Sequence, residues 1–228
     1  MTGVPGKRRQ ERAPGSLKGT AKMVDVEQHA AHMTRRAEDI LADLDLVRKW
    51  APYGRPVVVG ALAHGLLAGP DIDMEVYCPE LRIEHGFHVV SACALNPRVT
   101  EVRFANHLAG PDKALYWQLR YLEGDGTEWK LDIWSAPEDY ALPRGEHLVE
   151  PLRAALTHET RKAILELKHL RTNDPTVACI SIDLYRAVVD DHVRTADELR
   201  AWLQSHEIGQ LTDWTLSLIH ISEPTRPY

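Results

Sequence analysis

The sequence predicts an α/β protein in which a β-sheet unit is followed by a helical C-terminal segment. Three observations carry that expectation. Short apolar runs with strand-like alternation recur between residues 57 and 134, interleaved with segments of helical period. Glu123-Gly124-Asp125-Gly126 joins two of those runs as a hairpin, because Asp and Gly tolerate positive φ. After Pro143 only helical periodicity remains.

Taken in order, Met33, Ala37, Ile40, Leu41, Leu44 and Val47 recur at helical spacing and predict a helix within 24–50. Pro56 opens a short apolar strand, Val57–Val59. Gly60 to Gly69 reads as a turn followed by a short helix, ALAHGLLA, which Pro70 ends. Asp71–Tyr77 alternates polar and apolar as a strand does. A helix is expected near Glu84–Leu95, stopped by Asn96-Pro97, with strands at 99–106, 114–122 and 127–134. Leu152, Leu156, Ala163, Ile164, Leu167 and Leu170 form one helical stripe, and Val177, Ile180, Leu184 and Val188 begin another. Thr195 with Glu198 makes a capping box for a last helix carrying Leu199, Trp202 and Leu203.

The 228 residues, 44% hydrophobic and 26% charged, suffice for one good core, or one core plus a small helical annex. No apolar run approaches the ~20 residues that cross a bilayer, and no charged-then-apolar leader opens the chain. Cys78, Cys93 and Cys179 are odd in number and lack zinc-site spacing, so they read as reduced thiols of a cytoplasmic protein. Net charge is −6, from 33 acidic and 27 basic residues. A protein that grips a long nucleic acid needs cations against the phosphates, so neither an extended nucleic acid nor a membrane is expected as partner.

The ends read differently from the middle. Residues 1–22 are rich in Lys and Arg without an apolar cluster, and are expected to be a disordered basic tail. Leu216–Arg226, LSLIHISEPTR, matches the translation of a tagmentation adapter used in sequencing libraries. Residues 216–228 are therefore expected to be an assembly artefact.

The chemistry concentrates in VVGALAHGLLAGPDIDMEVY, Val58–Tyr77. Asp71, Asp73 and Glu75 occupy alternate strand positions and share one face, while Ile72, Met74 and Val76 fill the other. Carboxylates at i and i+2 lie roughly 6–7 Å apart, within reach of a pair of cations ~3.5–4 Å apart. An acidic wet face on an edge strand is the ordinary alternative. Gly60 follows an apolar strand and leads into a helix, where a phosphate can approach the backbone. In WKLDIW, Trp129–Trp134, Asp132 sits mid-strand, an expensive place for a carboxylate unless something pairs with it. Lys130 shares its face, and a plain Lys130–Asp132 pair on a solvated hairpin is the ordinary alternative there.

Together these pieces resemble the signature of the DNA polymerase β-like nucleotidyltransferase superfamily, in its minimal and antibiotic-type members. The signature is an apolar residue with Gly-Gly/Ser, nine to thirteen residues, Asp-apolar-Asp/Glu-apolar, and a later acidic residue on a strand. Here that is Val59-Gly60-Ala61, nine residues, Asp71-Ile72-Asp73-Met74, then Asp132. The resemblance implies a small mixed β-sheet of the nucleotidyltransferase fold flanked by helices. It places a catalytic domain at 23–142 and a helical C-terminal segment at 143–215. It further implies transfer of a nucleoside monophosphate from a nucleoside triphosphate to a hydroxyl acceptor (small molecule, protein or RNA), with release of pyrophosphate. Asp71, Asp73 and Asp132 would be the catalytic residues and ligands of two Mg²⁺ ions, or Mn²⁺. Gly60, Ala61, Lys130 and Arg120 would bind nucleotide, with Glu75 behind the ligands or facing solvent. Ala61 departs from the usual Ser, and loss of that hydroxyl should weaken nucleotide binding by roughly 1–2 kcal/mol. That departure leaves a second reading open: an inactive nucleotidyltransferase-fold module that binds a nucleotide or a protein. His85 and His88 could suggest a metal, and Trp117, Trp129, Tyr116 and Tyr121 a base-stacking surface, but core and surface roles are the plainer expectation for these residues.

Overall fold

In the computed structural model, which describes residues 25–209, five strands form one mixed sheet of order β1-β2-β5-β4-β3. The strands are β1 (Arg55–Val59), β2 (Asp71–Cys78), β3 (Val99–Asn106), β4 (Leu115–Leu122) and β5 (Glu128–Pro137). β2 and β5 run parallel; the other three neighbouring pairs are antiparallel. The expected basic tail and adapter-like end lie outside the described residues.

Alternation sorts the sheet into two faces. Ile72, Met74 and Val76 of β2, Leu131 and Ile133 of β5, and Trp117 and Leu119 of β4 all point to one buried side. There they meet α1 (Val26–Asp43), α2 (Leu46–Trp50) and α4 (Ile83–Ala94) through Met33, Ile40, Leu46, Trp50 and Val90. Gly86 of α4 lies so close to Trp117 that a Cβ there would stand 2.0 Å from the ring. The other face carries Asp71, Asp73, Glu75, Lys130 and Asp132.

After the sheet come α5 (Glu146–Ala155), α6 (His158–Asn173), α7 (Ser181–Val189) and α8 (Ala196–Ser205). They bury a second cluster around Leu152, Ile164, Leu184, Val188 and Leu199, which also takes in Ala30 and Leu66 from the earlier part of the chain. The capping box at Thr195 forms as its sequence predicts.

Three helical expectations need correction. The helix within 24–50 is two helices, because Asp45 adopts a left-handed φ of 49° and reorients the chain so that Leu44 and Leu46 both turn inward. The short helix, α3, spans Gly60–His64 rather than 61–68, since Gly65 caps it at φ 66° well before Pro70. The stripe from Leu152 to Leu170 is broken where Thr157 and Thr160 cap one another's backbone and start α6 afresh. Cys78, Cys93 and Cys179 are free thiols. Among the described residues no helix is long and apolar enough to cross a membrane.

Candidate active site

The one parallel ladder in the sheet assembles the acidic site. It sets Asp73 directly beside Asp132 and Asp71 beside Lys130, and neighbours in register share a face. Asp71, Asp73 and Asp132 each bring a carboxylate oxygen to within 4.8 Å of the others. Among the described residues this is the one group of three or more His, Cys, Asp or Glu side chains so arranged. The sequence-predicted trio therefore converges.

Its electrostatics are unfavourable without a cation. Burial, then the charges of Asp71 and Asp132, raise the pKa of Asp73 to about 7, against the weaker pull of Lys130 and Lys168. Burial also raises the pKa of Asp71, which Lys130 opposes and Asp132 reinforces. Asp132 is the best-supported member. Its Oδ1 accepts from the Tyr116 hydroxyl (2.7 Å) and from Gln118 Nε2 (3.0 Å), and its Oδ2 pairs with Lys130 Nζ (2.8 Å). Burial and that hydrogen bond to Asp132 push the Tyr116 phenol up to about 12. Lys130 also reaches Asp71 Oδ1 at 3.2 Å, an atom with no hydrogen bond of its own. Burial works against the charge of Lys130, yet its pairs with Asp132 and Asp71 outweigh that and raise its pKa.

Gly60 shows why its position takes no side chain. Its φ is +63°, and a Cβ would stand 2.3 Å from Asp73 Oδ2. The turn that resembles a phosphate loop is thus also what lets the carboxylate fit. Glu75, the third acid on the face, turns away from the trio. It accepts from the backbone N–H of Gly145 (2.8 Å) and Glu146 (3.1 Å) and from the Tyr77 hydroxyl (2.5 Å), tying the sheet to the start of α5. Arg120 stands across from Lys130 in register, but its guanidinium meets Glu128 at 3.5 Å and is not brought to the trio.

Beside the trio lies a cleft of about 420 Å³ between α3 and the helical segment. Gly60, Ala61, Asp71 and Asp73 form one wall; Lys168, Arg171 and Ser181 stand on the other. Those last three were not singled out from the sequence. One signal was present: Lys168 is one turn from Ile164, on the otherwise apolar buried side of its helix. His85 stacks on Tyr53 (4.6 Å between ring centroids), with His88 further along the same helix. Trp117, Trp129 and Tyr121 are core, whereas Tyr116 belongs to the site.

No protein-family model and no curated protein matches the sequence. Solved structures do match the fold. The chain is similar to the Cid1 poly(U) polymerase bound to MgGTP, with a TM-score of 0.53, 16% identity, and 69% of this chain and 49% of that one covered. Cid1 with its short product ApU gives 0.51 and 14%, with 72% and 53% covered. Cid1 with the UTP analogue UMPNPP gives 0.51 and 15%, with 69% and 48% covered. The chain thus spans about half the length of these structures. With strand order, the Gly60 turn and the converging carboxylates already in place, the chain has the nucleotidyltransferase fold.

Proposed function

We propose that the chain is a metal-dependent nucleotidyltransferase, moving a nucleoside monophosphate from a nucleoside triphosphate to a hydroxyl acceptor and releasing pyrophosphate. The observation that carries this reading is the meeting of Asp71, Asp73 and Asp132 on one sheet face beside a cleft. A binding module has no use for three carboxylates when burial, and then their mutual repulsion, raises the pKa of two of them.

The donor set suits Mg²⁺ or Mn²⁺: all oxygen, crowded, and including Asp71 Oδ1, which has the Lys130 ion pair but no hydrogen bond. Asp71, Asp73 and Asp132 would together hold the metal. Bound there, such ions lower the pKa of the acceptor hydroxyl and neutralise charge on the triphosphate. The remaining work belongs to the protein. Tyr116 and Gln118 fix the orientation of Asp132 by donating to one of its oxygens, leaving the other turned toward Lys130. Gly60 keeps the backbone low enough for a phosphate to approach. Lys168, Arg171 and Ser181 supply charge and hydrogen-bond donors from the opposite wall, so the triphosphate would lie between α3 and α6–α7. Lys130, already within the acidic cluster, would stabilise charge developing at the reacting phosphate.

The test offers each of the four nucleoside triphosphates with Mg²⁺ or Mn²⁺ and follows pyrophosphate release with candidate hydroxyl acceptors. Asp71→Asn and Asp73→Asn should each lower the rate at least a hundredfold. Turnover unchanged in both variants would refute the reading.

A further inference from the structure

A cation already stands among the three carboxylates. Lys130 Nζ lies 2.8 Å from Asp132 Oδ2 and 3.2 Å from Asp71 Oδ1, so the ammonium bridges the two acids that flank it. Its strand holds it there. The ladder between β2 and β5 sets Asp71 directly beside Lys130, Asp132 follows two residues on, and the Lys130 N–H donates to the Pro70 carbonyl at 3.0 Å. Glu128, the acid two residues before it on the same face, meets Arg120 instead.

Asp132 has both of its oxygens engaged. Oδ1 accepts from Tyr116 and Gln118, and Oδ2 faces the ammonium. A carboxylate oxygen takes about two donors, so Oδ1 is full and an ion on this side would compete with Lys130 for Oδ2. Access is uneven as well: the Asp132 side chain is 15% exposed and that of Asp71 46%. Charge points the same way. Three carboxylates and one ammonium leave two negative charges, which a single divalent ion matches. A pair of ions would press two more positive centres against the ammonium within a few ångströms.

We propose that Lys130 takes the place of one cation of a two-ion site, so that the trio binds a single divalent ion and the tethered ammonium is the second positive centre. This rests on the nucleotidyltransferase reading and sets the number of ions which that reading requires. An ammonium carried by the strand is always present, whereas a second ion would have to be captured from solution.

The experiment counts bound Mn²⁺ per chain by electron paramagnetic resonance, with and without the α,β-methylene analogues of ATP, GTP, CTP and UTP. The proteins are the wild type, Lys130→Met and Asp73→Asn, and ions that Asp73→Asn retains are subtracted as bound elsewhere. The wild type should hold one Mn²⁺ at the trio, with an isolated-ion signal. Lys130→Met keeps the apolar stem and drops the charge. It should hold two, broadened as a pair ~3.5–4 Å apart, and bind the first about tenfold more tightly. Two ions in the wild type, a single ion in Lys130→Met, or a first ion bound there no tighter than in the wild type overturns the substitution of lysine for metal while the enzyme reading stands. A wild type that holds no ion at the trio overturns both. Should Lys130→Met fail to fold, the wild-type count decides alone: one ion upholds the proposal and two overturn it.

Discussion

Replacing Asp73 by Asn should stabilise the cation-free protein while removing its chemistry. The pKa of Asp73 rises from an ordinary 3.8 to about 7, by burial first and then by the neighbouring carboxylates. That rise corresponds to ~4 kcal/mol against the ionised form. Water in the open cleft screens part of that, leaving roughly 2 kcal/mol. The folded state binds this proton more tightly than the unfolded chain, so stability is highest below about pH 4 for this group and falls as pH rises from there through 7. Asn keeps the shape without the charge. In EDTA at pH 8 the Tm of Asp73→Asn should therefore exceed that of the wild type by about 4–8 °C, at 2–4 °C per kcal/mol for a chain of this size. At pH 5 the gain should shrink, because the folded wild-type carboxyl is then protonated, and it should vanish only below about pH 4, where the unfolded chain's carboxyl is protonated too. Excess Mn²⁺ at pH 8 should raise the wild-type Tm and leave the variant unmoved. Scanning calorimetry of both proteins at the two pH values decides the matter. A variant no more stable than the wild type at pH 8 without cation would refute the argument that these carboxylates are held together against their own repulsion.

Three further perturbations follow from the same geometry. Gly60→Ala would place a Cβ 2.3 Å from Asp73 Oδ2 at a φ of +63°, so activity should fall at least a hundredfold and Mn²⁺ affinity, read by electron paramagnetic resonance, should drop with it. Ala61→Ser should tighten nucleoside triphosphate binding by about 1 kcal/mol, some fivefold in a calorimetric Kd, if the added hydroxyl meets a phosphate. Glu75→Ala removes the acceptor of two backbone N–H groups at the start of α5 and of the Tyr77 hydroxyl, and should cost about 2 kcal/mol of stability in urea unfolding; equal midpoints would show that the sheet and α5 do not depend on it.

Strand-borne features were legible in the sequence because side chains in a strand alternate strictly. From the period-two pattern of Asp71, Asp73 and Glu75 and the apolar flanks of Asp132, both the core side and the site side of the sheet could be read. That β2 and β5 are neighbours was not written in either segment. It enters only through the resemblance, since pairing between strands more than fifty residues apart is a tertiary event. Glu75 looked like its two neighbours and does something else, because its partners, the amides of Gly145 and Glu146, arrive from a loop seventy residues later. The break at Thr157 escaped detection because Thr160 stands where a capping box usually has Glu or Gln. Arg120 shares a face with Lys130 as its spacing requires, but which neighbour a long side chain chooses is decided by competing carboxylates, and Glu128 took it. Lys168, Arg171 and Ser181 come from two helices whose relative packing no local pattern encodes.

The carbonyls at positions 63 to 66 are grasped one after another by Arg153, Arg161 and Lys168, in four cation-to-carbonyl bonds of 2.7 to 3.1 Å. Shearing the helices past the sheet would break all four together, and each is worth ~1.5–3 kcal/mol. Rotation about that line would stretch them only slightly. The lacing therefore fixes where the helices sit along this stretch of chain, as the spine of a book keeps its pages in line.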